Sequence, residues 1–280
     1  MKKRGLLEMI GATFIWGSTP LMSIFSALPS GVFVFFRVLF AFPFIFYFSL
    51  KHTTFKEFFT LKPFFPLFFS GVMLGVNWVF FFWALNITDV ATVVTIYYAG
   101  PIISMVLAVV FLDEQLNKFI VISIILAFIG VFISSGGVHL DKGAIVALLA
   151  AISYGFLGFF SKLATLHHKA ESVTAWQILI SMFITFPFLF VNEWYLSINS
   201  FIIVLIAGII HTALALFLWY DSLNYIKVSI SSILQYLDIV FAMILAYLFL
   251  NQIPNISQII GACLIILAGV LSSIKEFKNS

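Results

Sequence analysis

The sequence has few charged residues and a single cysteine. Only 9% of its 280 residues are charged, 63% are hydrophobic, and the mean hydropathy is +1.17. About a quarter of the residues are charged in a soluble domain, so this composition excludes one. Cys263 has no second cysteine to pair with, which excludes an intramolecular disulfide, and we interpret it as a packing residue of an apolar run.

Motifs of catalysis and cofactor binding are also missing. The chain has no H-E-x-x-H, no G-x-S-x-G, no glycine-rich loop with a lysine, and no Cys/His cluster at metal-ligand spacing. We therefore expect no enzymatic activity, no cofactor and no metal. The net charge of +3 is spread over short loops, so nucleic acid is not an expected partner.

Long apolar runs fill the chain instead. They are about 20 residues long, the length that crosses a ~30 Å hydrocarbon core. Lipid offers no hydrogen-bond partner to the backbone, so such runs must be helical. We expect an all-α membrane protein with ten transmembrane helices, near residues 6–26, 30–50, 64–85, 91–112, 118–135, 143–163, 172–191, 200–221, 229–250 and 256–274.

The chain contains an internal duplication. Residues 84–116 recur at 222–254, displaced by 138 positions without a gap. At this displacement Tyr98 falls on Tyr236 and Gly17 falls on Gly155. The pattern predicts two repeats of five helices each, in residues 1–137 and 138–280.

Basic residues predict the orientation in the membrane. Twelve of the fourteen Lys and Arg residues lie in the termini and loops of one side, and only Lys142 lies on the other. The positive-inside rule then gives cytoplasmic N- and C-termini in a cell membrane. Because five spans are an odd number, the second repeat must be inverted relative to the first. Inverted repeats are typical of alternating-access transporters with a substrate site near the midplane.

Several paired motifs resemble the EamA domains of the drug/metabolite transporter superfamily. Each half begins with a small-residue helix that carries an aromatic side chain (FIWGSTP and ISYGFLG). The fourth spans end in FLDEQL and FLNQIP, and the last spans contain IGVFIS and GACLIILAGVLSS. The chain departs from the family pattern where Gln252 stands opposite Glu114, and where Asp238-Ile239 stands opposite Gly100-Pro101.

The resemblance implies a ten-helix secondary transporter for a small metabolite, such as an amino acid or a related compound, with export as the expected direction. Proton coupling is a further hypothesis. Two other classes stay open from the residues alone. One is a passive facilitator or channel, and the other is a membrane-embedded enzyme that modifies a lipid.

Asp238 is the main candidate for function. An ionisable side chain near the middle of a span costs about 2.5–3.5 kcal/mol on insertion scales, so its presence there indicates a functional or structural role. Gln235 shares its helix face and Tyr236 is its neighbour. The carboxyl group could hold a substrate amine or carry a proton, or it could be a neutral, hydrogen-bonded structural acid.

Two other ionisable residues lie inside predicted spans. His211 could exchange a proton with Asp238, or donate a hydrogen bond to a neighbouring carbonyl. Arg37 could bind a substrate carboxylate through its guanidinium fork. Alternatively, Arg37 is structural and its long stem reaches the headgroups.

An aromatic and polar set completes the predicted substrate site. Trp16, Tyr154 and Tyr236 lie away from span ends, so an interfacial belt explains them poorly. Cavity lining is the interpretation for the set as a whole, and Asn77 is a similar candidate near the middle of the third span. The predicted substrate-binding residues are Trp16, Asn77, Tyr98, Tyr154, His211, Gln235, Tyr236 and Asp238, and Tyr97 and Trp219 belong to the same aromatic group.

Four prolines fall inside the predicted spans: Pro20, Pro43, Pro101 and Pro187. Proline removes a backbone hydrogen bond, so we expect each of them to interrupt its helix.

Overall fold

The computed structural model describes residues 2–51, 53–88, 90–116, 118–136, 141–191, 193–251 and 253–278. Every regular element in these ranges is helical. The α-helices are α1 Lys2–Gly17, α2 Thr19–Ser26, α3 Ser30–Leu50, α4 Phe55–Phe59, α5 Phe64–Ile87, α6 Val90–Tyr97, α7 Gly100–Phe111, α8 Lys118–Ser135, α9 Lys142–Thr165, α10 Ala170–Thr185, α11 Ile198–Ile206, α12 Ala215–Ser222, α13 Val228–Gln235, α14 Leu237–Leu250 and α15 Ile256–Lys278. A 3-10 turn spans Phe186–Phe190 and a π-helical stretch spans Ala207–Leu214.

Seven helical stretches of the described residues are long and apolar enough to cross a membrane, so the chain is a multi-pass membrane protein. They are Gly31–Leu50, Phe64–Ala84, Val93–Phe111, Lys142–Thr165, Ala170–Phe190, Ile198–Ser222 and Val228–Phe249. Two further apolar helices, Lys118–Ser134 and Ile256–Leu271, are shorter. The first predicted span is divided into α1 and α2.

The fourth span of each half is broken at the same place. Pro101 lies at the start of α7, so the first break has a local cause. The second break, at Tyr236, comes where Ile239 replaces the proline. There the N–H groups of Tyr236 and Ile239 each donate to a carbonyl three residues back, both at 3.3 Å. The break is therefore a feature of both repeats and occurs without the proline in the second.

The other prolines behave differently from one another. Pro20 begins α2 and Pro187 begins the 3-10 turn, so both stand where a helix is interrupted, as predicted. Pro43 lies inside α3, which continues from Ser30 to Leu50. The helix does not end at Pro43, and a kink at the missing backbone hydrogen bond stays a prediction.

The two halves are interleaved and do not pack as separate bundles. The first helix of each half packs against the third and fourth spans of the other half: α1 contacts α12, α13 and α14, and α9 contacts α5, α6 and α7. The second spans also meet across the halves, α3 against α10, and the last spans meet as α8 against α15.

Glycines allow the exchanged helices to approach closely. A Cβ atom on Gly17 would lie 2.8 Å from the carbonyl oxygen of Asp238 and 2.9 Å from the backbone nitrogen of Ala242. A Cβ atom on Gly155 would lie 3.2 Å from the carbonyl oxygen of Gly100 and 2.6 Å from Cβ of Ile103. These residues are related by the 138-residue displacement, so both halves make the same contact.

Equivalent helices run in opposite directions where they meet. A Cβ atom on Gly130 of α8 would lie 3.0 Å from Ile265 of α15, and one on Gly261 would lie 2.8 Å from Cβ of Ser134. A residue further along α8 thus faces a residue earlier in α15. The two helices are antiparallel.

One end of the interface between the halves is tightly closed. Glu114, after α7, accepts hydrogen bonds from the backbone N–H groups of Val228 (2.8 Å) and Ser229 (3.2 Å) at the start of α13. The amine of Lys227 donates to the carbonyl of Gln115 at 3.3 Å, and that of Lys162 donates to the carbonyl of Leu223. The segment α13 also packs against α7, α8 and α9.

The repeat-related segment α6 contacts α5, α8 and α9. The residue that corresponds to Glu114 at this end is Gln252, which lies outside the described residues. The hydrogen-bonded closure is therefore described for the α13 end of the interface.

The glycine contact predicts the effect of adding one methyl group to α1. Gly17→Ala should destabilise the fold by about 1–3 kcal/mol, since the new Cβ meets rigid backbone. Gly11→Ala, on the same helix, is the control, because its Cβ would have only a side-chain atom, Leu218 Cδ1, at 3.8 Å. Thermal unfolding in detergent measures both, and equal melting temperatures would refute the close-contact argument.

Glu114 predicts a second stability effect. Glu114→Gln should lower stability by about 1 kcal/mol, because a charged acceptor at a helix N-terminus is replaced by a neutral one. Glu193→Gln is the control, since Glu193 is an exposed acid far from a helix start. Unfolding of the purified variants compares the two, and a loss as large for Glu193→Gln would count against the capping role.

Candidate functional site

A cavity of about 550 Å³ lies between the halves, beside the breaks of the two fourth spans. Nine of the nineteen described residues that line it are aromatic, and the charged ones among them are Arg37 and Asp238. The lining residues are Trp16, Thr19, Ser23, Ile24, Phe33, Arg37, Leu74, Asn77, Trp78, Phe81, Phe82, Val94, Tyr97, Tyr98, Tyr154, Leu157, Leu216, Trp219 and Asp238. Such a wall suits a small organic ligand with an apolar body and a few polar groups.

Asp238 lies in the first turn of α14, at the break, and is partly exposed to the cavity. Its Oδ1 accepts a hydrogen bond from the hydroxyl of Tyr98 at 2.6 Å. Tyr98 is held in turn by Tyr236, whose hydroxyl donates to the Tyr98 carbonyl at 2.7 Å. The two tyrosines are repeat-related, so the pseudo-symmetry axis passes near this pair.

A second group of aromatic and polar side chains lies beside Tyr98, whose ring centroid is 5.7 Å from that of Tyr97. The rings of Tyr97 and Tyr154 stack with centroids 4.8 Å apart, and the Tyr154 hydroxyl donates to Oε1 of Gln235 at 2.5 Å. The Tyr97 hydroxyl donates to Oδ1 of Asn77 at 3.2 Å, and Nδ2 of Asn77 donates to the carbonyl of Ala150 at 3.0 Å. Both the oxygen and the nitrogen of the Asn77 amide are thus hydrogen-bonded, and Asn77 positions Tyr97.

Trp219 joins the first helices of the two halves. Its ring meets Trp16 edge-on at 5.4 Å and Tyr154 at 6.3 Å. Its indole N–H donates to the hydroxyl of Ser231 at 2.9 Å. The repeat-related residues Trp16 and Tyr154 therefore contact the same side chain.

Arg37 reaches the cavity from α3. It is 6% exposed, and its Nε donates to the hydroxyl of Thr212 at 2.8 Å. The centre of its guanidinium lies 4.8 Å from the ring of Trp78. The side chain points into the protein, so the expectation that its stem reaches the headgroups does not describe this residue.

The predicted site residues fall into two groups. Trp16, Asn77, Tyr98, Tyr154 and Asp238 line the cavity, as does Arg37. His211, Gln235 and Tyr236 are buried behind the wall, and Gln235 and Tyr236 reach it only through Tyr154 and Tyr98. Direct contact of these three with a substrate stays a prediction.

His211 faces a different element from the one expected. Its Nε2 lies 2.7 Å from the hydroxyl of Ser18, at the break between α1 and α2. Counting 3.6 residues per turn cannot place it, because it lies in the π-helical stretch, where the faces are shifted.

Eleven of the nineteen lining residues were missed from the sequence, Thr19, Ser23, Phe33 and Trp78 among them. Trp78 follows Asn77 directly, which is a signal that could have found it. Phe33 is one of 36 phenylalanines and carries no distinguishing pattern. Among the described residues, no group of three or more His, Cys, Asp or Glu side chains could hold a metal ion.

The Tyr154–Gln235 contact predicts a measurable loss of stability. Tyr154→Phe should cost about 1–3 kcal/mol, because the Gln235 oxygen is left buried without its donor. Tyr247→Phe serves as the control, since Tyr247 is exposed on α14. Thermal unfolding of both variants is the measurement, and an unchanged Tyr154→Phe melting temperature would contradict the expected role of the bond.

Comparison with known proteins shows a family match that covers both halves. The profile of the EamA-like transporter family matches residues 3–136 and again residues 141–274. The two matches together span nearly the whole chain.

Individual relatives are also similar over most of their length. The uncharacterized transporter YxxF of Bacillus subtilis is 29% identical over 98% of this chain and 91% of its own. The S-adenosylmethionine uptake transporter of Rickettsia conorii is 23% identical over 83% of this chain and 77% of its own. A solved crystal structure superposes over 100% of both chains with a TM-score of 0.87 at 16% identity, which shows a shared fold.

Proposed function

Because this chain belongs to the EamA-like transporter family, we propose that it is a secondary transporter that carries a small metabolite through the central cavity by alternating access. The observation that carries the proposal is the hydrogen bonding of the start of α13 to Glu114 of the other half. Release of this contact, with the repeat-related segment α6 closing at the other end, would open the cavity on one side and close it on the other.

The same observation argues against the channel alternative. The closed end is built from Glu114 and Lys227, which bond to backbone groups across the interface between the halves. Lys162 bonds to the carbonyl of Leu223 within the second half. A passive channel needs a continuous path in one state. A lipid-modifying enzyme is supported less, because the polar cavity residues converge near the middle of the chain's spans and away from the headgroups.

The proposal includes ten spans in two inverted five-helix repeats, with cytoplasmic termini in the cell membrane. The antiparallel meeting of α8 with α15 supports the inversion, and the distribution of lysines supports the orientation. In this orientation the cytoplasmic side is the fastened one. Ser23, Ile24, Phe82 and Val94 then line the external part of the cavity.

The substrate is a small organic metabolite in this proposal, such as an amino acid or a related compound. A relative named for uptake of S-adenosylmethionine supports this class. Export is the direction that the superfamily resemblance favours. The name of that relative favours uptake, so direction must be measured in vesicles of known protein orientation.

Transport itself can be tested by counterflow. Proteoliposomes are loaded with a metabolite mixture, a transported compound is identified by mass spectrometry, and its labelled form is then added outside. A carrier accumulates the label transiently against the unlabelled pool without net flux. Simple equilibration without overshoot would favour the facilitator or channel.

Asp238 is the proposed proton or cation site. A carboxyl group at this depth is costly unless it is protonated, paired or wetted. It faces the cavity and keeps one hydrogen bond, from Tyr98. When the cavity exchanges sides, this group can release a proton to the new side or hold the ammonium group of a substrate.

Asp238→Asn should fold and insert, because the amide keeps the shape of the carboxyl group, but it should lose transport driven by a pH gradient. Asp113→Asn is the control, since Asp113 is exposed outside the helices at φ 53°, which asparagine tolerates. Uptake into proteoliposomes with and without a pH gradient is the measurement. Unchanged pH dependence in Asp238→Asn would reduce Asp238 to a structural acid.

A further inference from the structure

Among the described residues, no acid pairs with the buried charge of Arg37. Arg37 is 6% exposed, and the ion pairs found in this part of the chain involve Arg4, with Glu8 and Asp221. The described contacts of Arg37 are a threonine hydroxyl and aromatic rings. A buried charge without a counter-charge is strongly unfavourable. The missing negative charge can enter only through the cavity that Arg37 lines.

Three features hold the guanidinium in one orientation. Nε donates to Thr212, one face lies over Trp78, and the hydroxyl of Thr212 donates to the carbonyl of Ala207 at 3.1 Å. This last bond spans five residues inside the π-helical stretch, so the irregular backbone positions the acceptor for Arg37. Gly208 allows the approach of α3, because a Cβ there would lie 2.8 Å from the Arg37 carbonyl oxygen.

The orientation leaves the two terminal amino groups of Arg37 for a ligand. From this geometry we propose that Arg37, with Thr212 and Trp78 as positioning residues, forms an anion subsite that binds a carboxylate of the transported metabolite. The proposal rests on the proposed function and names a chemical feature of its substrate. A planar fork of N–H donors matches a carboxylate with two parallel hydrogen bonds.

The charge of the cavity limits which anion fits. Arg37 is the only cationic residue among the residues that line it, and Asp238 also lies on the wall. A doubly charged phosphate would meet one cation and one carboxyl group, which is unfavourable. A single carboxylate is matched by Arg37, and the aromatic wall accommodates an apolar body attached to it.

Protection of an introduced cysteine tests the subsite without requiring transport. Ser23→Cys places a thiol on the cavity wall, in a Cys263→Ser background that removes the native thiol. The purified protein is labelled with N-ethylmaleimide in the presence of 3-phenylpropionate or its neutral analogue 3-phenylpropanol. Ile24→Cys provides a second position if Ser23→Cys labels poorly, since Ile24 also lines the cavity and is 58% exposed.

The acid should protect at about tenfold lower concentration than the alcohol, the ratio that corresponds to one charge-assisted interaction. Arg37→Gln should abolish this preference, Arg37→Lys should retain part of it because the charge remains, and Thr212→Val should weaken it. Lys56→Gln, which removes one exposed positive charge from α4, should leave it unchanged. Arg37→Lys and Thr212→Val keep the test usable if Arg37→Gln folds poorly.

Equal protection by acid and alcohol, or an acid preference that survives in Arg37→Gln, would overturn the subsite. These results are distinguishable from failure of the transporter proposal. If counterflow is observed without an acid preference, only the subsite proposal fails. If an acid preference is observed without counterflow, only the carrier proposal fails.

Discussion

The packing of a glycine on a carbonyl oxygen, once in each half, is the contact on which the rest of the structure depends. Gly17 approaches the backbone at Asp238, and Gly155 approaches it at Gly100. Lipid offers no hydrophobic gain when helices associate. The attraction between the helices must therefore come from close van der Waals packing of small residues. Because each contact joins the first helix of one half to the fourth span of the other, the halves cannot separate. The cavity therefore forms between exchanged elements, where Tyr98 lines the wall and Tyr236 holds Tyr98 from behind.

Because the first helices are exchanged between the halves, the two fourth spans can pack differently from each other. Both are broken near their middle, so the N-terminal segment of each, α6 or α13, can pack independently of the segment that follows. In α13 the free N–H groups of the first turn are satisfied by Glu114, which comes from the other half. The residue that corresponds to Glu114 in the second repeat is Gln252, which lies outside the described residues. A carboxylate binds a helix N-terminus more strongly than an amide does, so by residue type alone Glu114 is the better cap of the two.

Sequence alone could predict the helical character, the duplication and most span positions, because hydrophobic length and the 138-residue displacement are properties of the chain itself. It could also predict Trp16 and Tyr154, which are repeat-related aromatic residues away from span ends. It could not predict which face His211, Gln235 and Tyr236 present. A π-helical stretch and two mid-span breaks shift the helix faces, and no residue pattern marks the break at Tyr236, where proline is absent. The interleaving of the halves was equally inaccessible, because glycine spacing shows that helices approach closely without showing which helices do so.

The chemistry of the cavity depends on the one place where the two copies differ most. A Cβ atom on Gly100 would lie 2.6–2.9 Å from the ring and Cβ of Tyr154, so the first copy has no room for a side chain there. In the second copy the equivalent position carries Asp238, and the residue equivalent to Tyr154 is Trp16, which turns its ring towards Trp219. The space that one half fills with a tyrosine ring holds a carboxyl group in the other. The repeated backbone thereby encloses a cavity whose charged lining residues, Asp238 and Arg37, make it asymmetric in charge.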